Sequence, residues 1–208
     1  MRDPNLASRR HPTMDIETTL ILVRHGESQA NLEARFTLHD DEPLTPLGVE
    51  QARETGRRLR AYDRPVALYA SPFARALHTA REIGAFFELA PEIVHELHEQ
   101  SFGELRGRAY AEYRPLVAAI AELDRWHYRA PGGESLVEVA SRVGPALDRI
   151  ADRHPGEQVV VVSHGGVMAA LRAYAARSFE LPPQATGNAG GYRLLRGGRD
   201  YRGPLPLF

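Results

Sequence analysis

The sequence contains no cysteine and no lysine. The first absence excludes disulfides and every metal site built on thiolates. It also agrees with a reducing cytoplasm, which is the expected location. The second absence makes every strong cation an arginine, 26 in all. A phosphate contact in this chain is therefore a planar guanidinium that offers paired hydrogen bonds. An excess of charge is lacking too, since the formal net charge is -1. Nothing draws the whole molecule to nucleic acid, and any anion site has to be local. No apolar run approaches the roughly 18 residues needed to cross a membrane. Residues 1–15 are polar, carry Arg9, Arg10 and Pro12, lack the apolar stretch of a secretory signal and read as a flexible leader. Residues 16–208 are expected to form a single catalytic domain.

What is present is the composition of a globular domain, 43% hydrophobic and 25% charged over 208 residues, long enough to bury a full core. Short β-rich runs alternate with helical periods. Thr18–Val23 and Gln158–Val162 are continuous apolar runs, as in parallel strands buried on both faces. Val66–Ala70 reads as a third strand, Glu92–Leu97 as a short one and Gly191–Leu195 as a last, edge strand. Thr45-Pro46 opens a helix to about Tyr62 with Thr as N-cap and Pro in its first position. Ser71-Pro72 opens another, striped by Phe73, Ala76, Leu77, Ala80, Ile83 and Phe87. Leu116–Leu123 marks a helix ending near Trp126. Leu136–Ile150 marks one that Gly144-Pro145 should kink or split, and Gly165–Ala176 the last. This alternation predicts an α/β layered sheet.

Four segments at strand ends carry candidate chemistry, in the place where open α/β sheets bind ligands. Arg24-His25-Gly26-Glu27-Ser28 follows the first strand. Ser163-His164-Gly165-Gly166 follows the valine-rich strand in the same design, with a helix N-terminus beyond. Ser71-Pro72-Phe73-Ala74-Arg75 places an arginine in a first helical turn, where it is unfavourable unless an anion is near. Glu96–Gly103 is an acidic loop. Two guanidiniums hold phosphate oxygens and offset charge in phosphoryl transfer. A neutral imidazole attacks phosphorus if its other nitrogen is held, and a carboxyl group protonates the leaving alkoxide. That set needs neither metal nor cofactor. Taken singly, each residue has a plainer use: His25 as a strand-end histidine, His164 as a helix cap, Arg75 paired to Glu82, Glu99 as one solvated acid beside Glu96 and Glu104.

In order, these segments resemble the histidine phosphatase superfamily, also called phosphoglycerate mutase-like. Leu22–Ser28 with Asn31 resembles its hallmark Arg-His-Gly block. Leu44–Gly48 with Gln51-Ala52, Ser71-Pro72 with Arg75 and Thr79-Ala80, Glu99 with Phe102-Gly103 and Gly107, and Gly133-Glu134-Ser135 with Arg142 follow, ending at Ser163–Gly166. The resemblance covers about Thr18–Tyr192. It implies a three-layer α/β/α sandwich around a mainly parallel sheet with an antiparallel edge strand. It implies His25 as the phosphorylated nucleophile, Arg24, Arg75 and His164 as phosphate ligands, Glu99 as proton donor, and Asn31 and Ser28 as accessory phosphate contacts. The mutase branch has a tryptophan before the asparagine and an adjacent arginine pair after the acid loop. Here the first place is Ala30, and Arg108, Arg114, Arg125 and Arg129 stand apart. Hydrolysis of a small phosphorylated metabolite is therefore the expected activity. A mutase and a non-catalytic phospho-ligand module are the alternatives. No nucleic acid or membrane partner is expected, and a homodimer is left open.

Overall fold

A computed structural model describes residues 16–208; the expected leader lies outside the described residues. Six strands form one sheet: β1 (Glu17–Arg24), β2 (Ala67–Ala70), β3 (Glu92–Ile93), β4 (Gln158–Ser163), β5 (Gly191–Gly197) and β6 (Asp200–Pro206). Their order is β3-β2-β4-β1-β5-β6. β1 to β4 pair in parallel, while β5 runs antiparallel to β1 and β6 antiparallel to β5. The helices are α1 (Gln29–Leu32), α2 (Pro46–Tyr62), α3 (Ala74–Gly84), α4 (Tyr110–Ala119), α5 (Leu136–Asp152) and α6 (Gly165–Ala176).

Side chains alternate across a strand, and the two central strands are apolar at nearly every position. Leu20, Leu22, Val159 and Val161 face one side and pack with Val143 and Leu147 of α5 and Met168 and Leu171 of α6. Ile21, Val23, Val160 and Val162 face the other and pack with Leu59 of α2 and Ala76, Ala80 and Ile83 of α3. Each large aliphatic side chain so buried stabilises the fold by roughly 1.5–3 kcal/mol. The result is a three-layer α/β/α sandwich with a mixed, mostly parallel sheet.

The elements depart from the sequence reading at five places, beginning with the helix expected to open at Ser71-Pro72, which starts at Ala74 with Phe73 in the N-cap position, because the Ser71 hydroxyl is engaged with His164. The strand expected over Glu92–Leu97 stops at Ile93, because His95–Leu97 turns into a 3-10 helix whose Glu96 carbonyl accepts from the Arg142 guanidinium at 2.5 Å. The strand at Gly191 is not at the edge; β6 covers it. The helix expected over Leu116–Trp126 is α4, ending at Ala119, followed by a 3-10 turn at Asp124–Trp126. Its apparent stripe is not a core face, since Leu116 and Leu123 are exposed. Trp126 instead packs on Phe179 and donates its indole N–H to the Leu181 carbonyl at 2.7 Å. Finally, α5 runs unbroken through Gly144-Pro145. Pro145 lies on the solvent face, where water serves the carbonyl it leaves unpaired. Gly144 lies against the Tyr174 ring, so a Cβ there would come within 2.2 Å of it.

Candidate active site

The sheet order brings the C-terminal ends of β2, β4 and β1 side by side, with β4 between the other two. Ser71 with Arg75, His164 and His25 therefore leave adjacent strands and meet. The two imidazoles are 5.2 Å apart between ring centroids, at 62°. Both are buried, as are Arg75 and Ser71. His25 Nδ1–H donates to the Gly26 carbonyl at 2.6 Å. That bond places the proton on Nδ1 and leaves Nε2 unprotonated, its lone pair accepting a long hydrogen bond from Arg75 Nε–H at 3.3 Å. Burial above all, then the Arg75 and Arg24 charges, holds His25 well below its ordinary pKa of 6.5, against the pull of the Gly26 carbonyl. Burial, Arg75, His25 and Arg24 hold His164 low in the same way. Both rings are thus neutral at physiological pH.

Three buried nitrogens around this point have no partner: Arg24 Nε, Arg75 Nη1 and His164 Nδ1. The Arg75 side chain is 1% exposed, and among the described residues no carboxylate lies within salt-bridge distance of it or of Arg24. A buried guanidinium without a counter-charge is unfavourable by several kcal/mol on the order-of-magnitude scale for buried ions, unless an anion joins it. Two guanidiniums and two neutral imidazoles thus converge on one point with unpartnered nitrogens, a set chemically suited to an oxyanion.

The backbone around the cup is fixed by contacts that only small residues permit. Gly26 and Gly48 approach so closely that a Cβ on Gly26 would stand 2.2 Å from the Gly48 carbonyl oxygen. Gly26 N–H donates to Thr79 Oγ1 at 3.0 Å, and the same hydroxyl donates to the Arg75 carbonyl at 2.8 Å. Thr45, the N-cap of α2, donates to the Glu27 carboxylate at 2.8 Å. On the far flank Arg24 Nη1–H donates to the Thr186 carbonyl at 2.6 Å, in the loop that leads into β5.

Asn31 and Ser28 stand beside the cup. Ser28 is the N-cap of α1, and its hydroxyl donates to Asn31 Oδ1 at 3.1 Å. The same oxygen accepts from Asn188 Nδ2 at 2.8 Å. The Tyr110 phenol stands close to Asn31, and burial pushes it above its ordinary pKa. Asn188 and Tyr110 carried no signal in the sequence, because each is an isolated polar residue in a segment without periodicity.

Glu99 is buried over the start of α6. Its Oε1 accepts from the Gln100 N–H at 2.9 Å and lies 2.8 Å from where a Cβ on Gly166 would be. The loop that carries it is held by Arg142. That guanidinium donates to the carbonyls of Glu96, His98 and Glu99 at 2.5, 2.9 and 3.1 Å and forks onto the Glu134 carboxylate at 2.9 Å. Glu134 also accepts from the Ser101 N–H at 2.9 Å. The cleft above measures about 100 Å³; Phe73, Arg75, His98, Glu99, Asp40 and Arg106 are among its walls. Among the described residues no cluster of three metal-ligating side chains occurs.

A sequence model of the histidine phosphatase superfamily (branch 1) matches residues 20–190. The chain belongs to that superfamily. A metal-independent phosphoserine phosphatase of Arabidopsis thaliana is 36% identical over 74% of this chain and 67% of its own length. A 2,3-bisphosphoglycerate-dependent phosphoglycerate mutase of Cytophaga hutchinsonii is 35% identical over 73% of this chain and 74% of its own. Among solved structures, a mycobacterial glucosyl-3-phosphoglycerate phosphatase superposes with a TM-score of 0.78 at 26% identity, covering 89% of this chain and 96% of the other. As a histidine phosphatase superfamily member the protein is an enzyme. Its relatives include both phosphatases and mutases.

Proposed function

We propose that the protein is a phosphomonoesterase that hydrolyses a small phosphorylated metabolite through a phosphohistidine on His25, without a metal or cofactor. His25 Nε2 attacks phosphorus in line with the leaving oxygen, forming the N–P bond as the ester P–O bond breaks. Arg24, Arg75 and His164 hold the three equatorial oxygens, whose charge they offset at the transition state. Glu99, as the acid, passes its proton to the departing alkoxide. The resulting carboxylate then takes a proton from water, whose oxygen attacks phosphorus and returns the N–P electrons to Nε2. Asn31 completes the cup from the side, and Ser28 acts through Asn31, its hydroxyl being engaged there.

The observation that carries this reading is the buried Arg75 guanidinium, with an orphan Nη1 and no ion-paired carboxylate among the described residues, donating its Nε–H to the unprotonated nitrogen of a neutral imidazole. Hydrolysis is favoured over the mutase reaction by the arginines after the acid loop. Arg108 is paired to Glu112 and Arg129 to Glu138, and Arg106, at the cleft wall, donates to the Leu38 carbonyl. A phosphate-release screen over metabolites without added metal tests the proposal. Turnover that vanishes in His25→Ala is expected; equal turnover in that variant overturns it. Interconversion of phosphoglycerates dependent on a bisphosphorylated primer would identify the mutase instead.

A further inference from the structure

We infer that Ser71 sets the tautomer of His164, holding its proton on Nδ1, where it faces the cup. His25 has its tautomer fixed by a backbone carbonyl, an acceptor that leaves no choice. His164 has no such carbonyl. Its Nε2 lies 2.7 Å from Ser71 Oγ, and a hydroxyl both donates and accepts, so the direction of that bond has to be found by counting.

Ser71 is fully buried. Its oxygen accepts from the Phe73 backbone N–H at 3.3 Å, and among the described residues its one other hydrogen-bond partner is His164 Nε2. If Nε2–H donated to Oγ, the hydroxyl proton would have no acceptor in a water-poor interior. Nδ1 would then be a bare lone pair beside two guanidiniums, turned toward an incoming anion. Both features are unfavourable. If Ser71 donates to Nε2 instead, its proton and one lone pair are both used. His164 then has a single unsatisfied group, the Nδ1–H donor, which matches the orphan atom found there. The His164 ring packs edge-on against both the Phe73 ring, at 5.3 Å and 63°, and the His25 ring.

The two imidazoles are therefore the same tautomer used in opposite senses. His25 presents its lone pair and His164 its proton. The backbone places Ser71 for this purpose, since its N–H is anchored to the Val162 carbonyl at 3.0 Å, one residue pair beyond the end of the β2–β4 ladder. Ser71 is a positioning residue here, acting through His164. The consequence for binding rests on the reading of His164 as a phosphate ligand, but the proton position does not.

Long-range 1H–15N correlation spectra of 15N-labelled protein, with His164→Gln as the assignment control, read the tautomer directly. The free wild-type protein should show His164 protonated at Nδ1 and bare at Nε2. Ser71→Ala should move the proton toward Nε2 and weaken inorganic phosphate binding by about tenfold, the scale of one charge-assisted hydrogen bond. Ser71→Thr should restore both. A wild-type proton on Nε2 overturns the inference, and this needs no variant to fold. So does a Ser71→Ala protein with the wild-type tautomer. A tautomer that moves while phosphate affinity stays the same supports the inference and counts instead against His164 as a phosphate ligand.

Discussion

At the scale of residues, the cup keeps two imidazoles uncharged, and folding stability depends on that. Both histidines bind protons less readily in the folded chain than in the unfolded one, where the ordinary pKa is 6.5. As pH falls below 6.5, the unfolded chain takes up protons first, and the stability difference shrinks. The contribution is full above 6.5 and is lost progressively toward the depressed folded values. The midpoint of thermal unfolding should fall between pH 7 and pH 5, and by less in His25→Asn. Gly166 is a second residue-scale device. Replacing it with Ala pushes a methyl into Glu99 Oε1, the mobile end of a side chain, so the fold should survive. Turnover should drop by about 10²-fold, the lower range for losing a general acid, with phosphate affinity nearly unchanged. Equal turnover would place the acid elsewhere. His25, His164, Arg24 and Arg75 were legible in the sequence because strand-end position, following glycines and a first-turn arginine are local signals. Tyr110 and Asn188 were not, because each is an isolated polar residue brought to the cup from far along the chain.

At the scale of elements, α5 does more than pack. Its Arg142 reaches out of the helix to gather three carbonyls of the acid loop, so helix and loop form one unit. Arg142→Met leaves Glu134 and those carbonyls without their donor. We expect faster amide exchange across residues 96–101 and turnover lower by about 10²-fold, on the scale seen for residues that support catalytic groups. A turnover defect without faster exchange would argue against the clamp. Element type was readable wherever burial made the pattern, as in β1, β4, α3 and α6. It misled where apolar spacing had no core behind it, at Leu116 and Leu123. It also misled at Pro145, because a proline's effect depends on which side of the helix faces water. β6 went unseen, since Asp200–Pro206 combines arginine, glycine and proline with little apolar alternation, and only its pairing with β5 makes it a strand.

At the scale of the whole molecule, the C-terminal strands are tied to the end of α2 by an ion pair whose carboxylate is buried. Arg193 on β5 forks onto the Asp63 carboxylate at the end of α2, at 2.6 and 2.9 Å, and also holds the Leu207 carbonyl. Asp63 is 1% exposed. Arg193→Met strands that charge and should destabilise the protein by about 3–5 kcal/mol, measured by urea unfolding. A double Arg193→Met, Asp63→Leu variant should recover much of the loss; no recovery would mean the pair is not the cause. The layered architecture itself was legible from alternation alone, whereas strand order was not, because adjacency in a sheet is not adjacency in sequence.

That order carries a consequence for biogenesis. β1 is synthesised first yet sits between β4 and β5, with Thr19 beside Gln158 on one edge and Leu195 on the other. A nascent chain emerging from the ribosome therefore carries the apolar run Leu20–Val23 with both edges bare until the last third has been translated, and such long-range closure is slow. Chaperone engagement of the first strand during translation is the natural outcome, and no N-terminal fragment ending before β4 should acquire anion affinity.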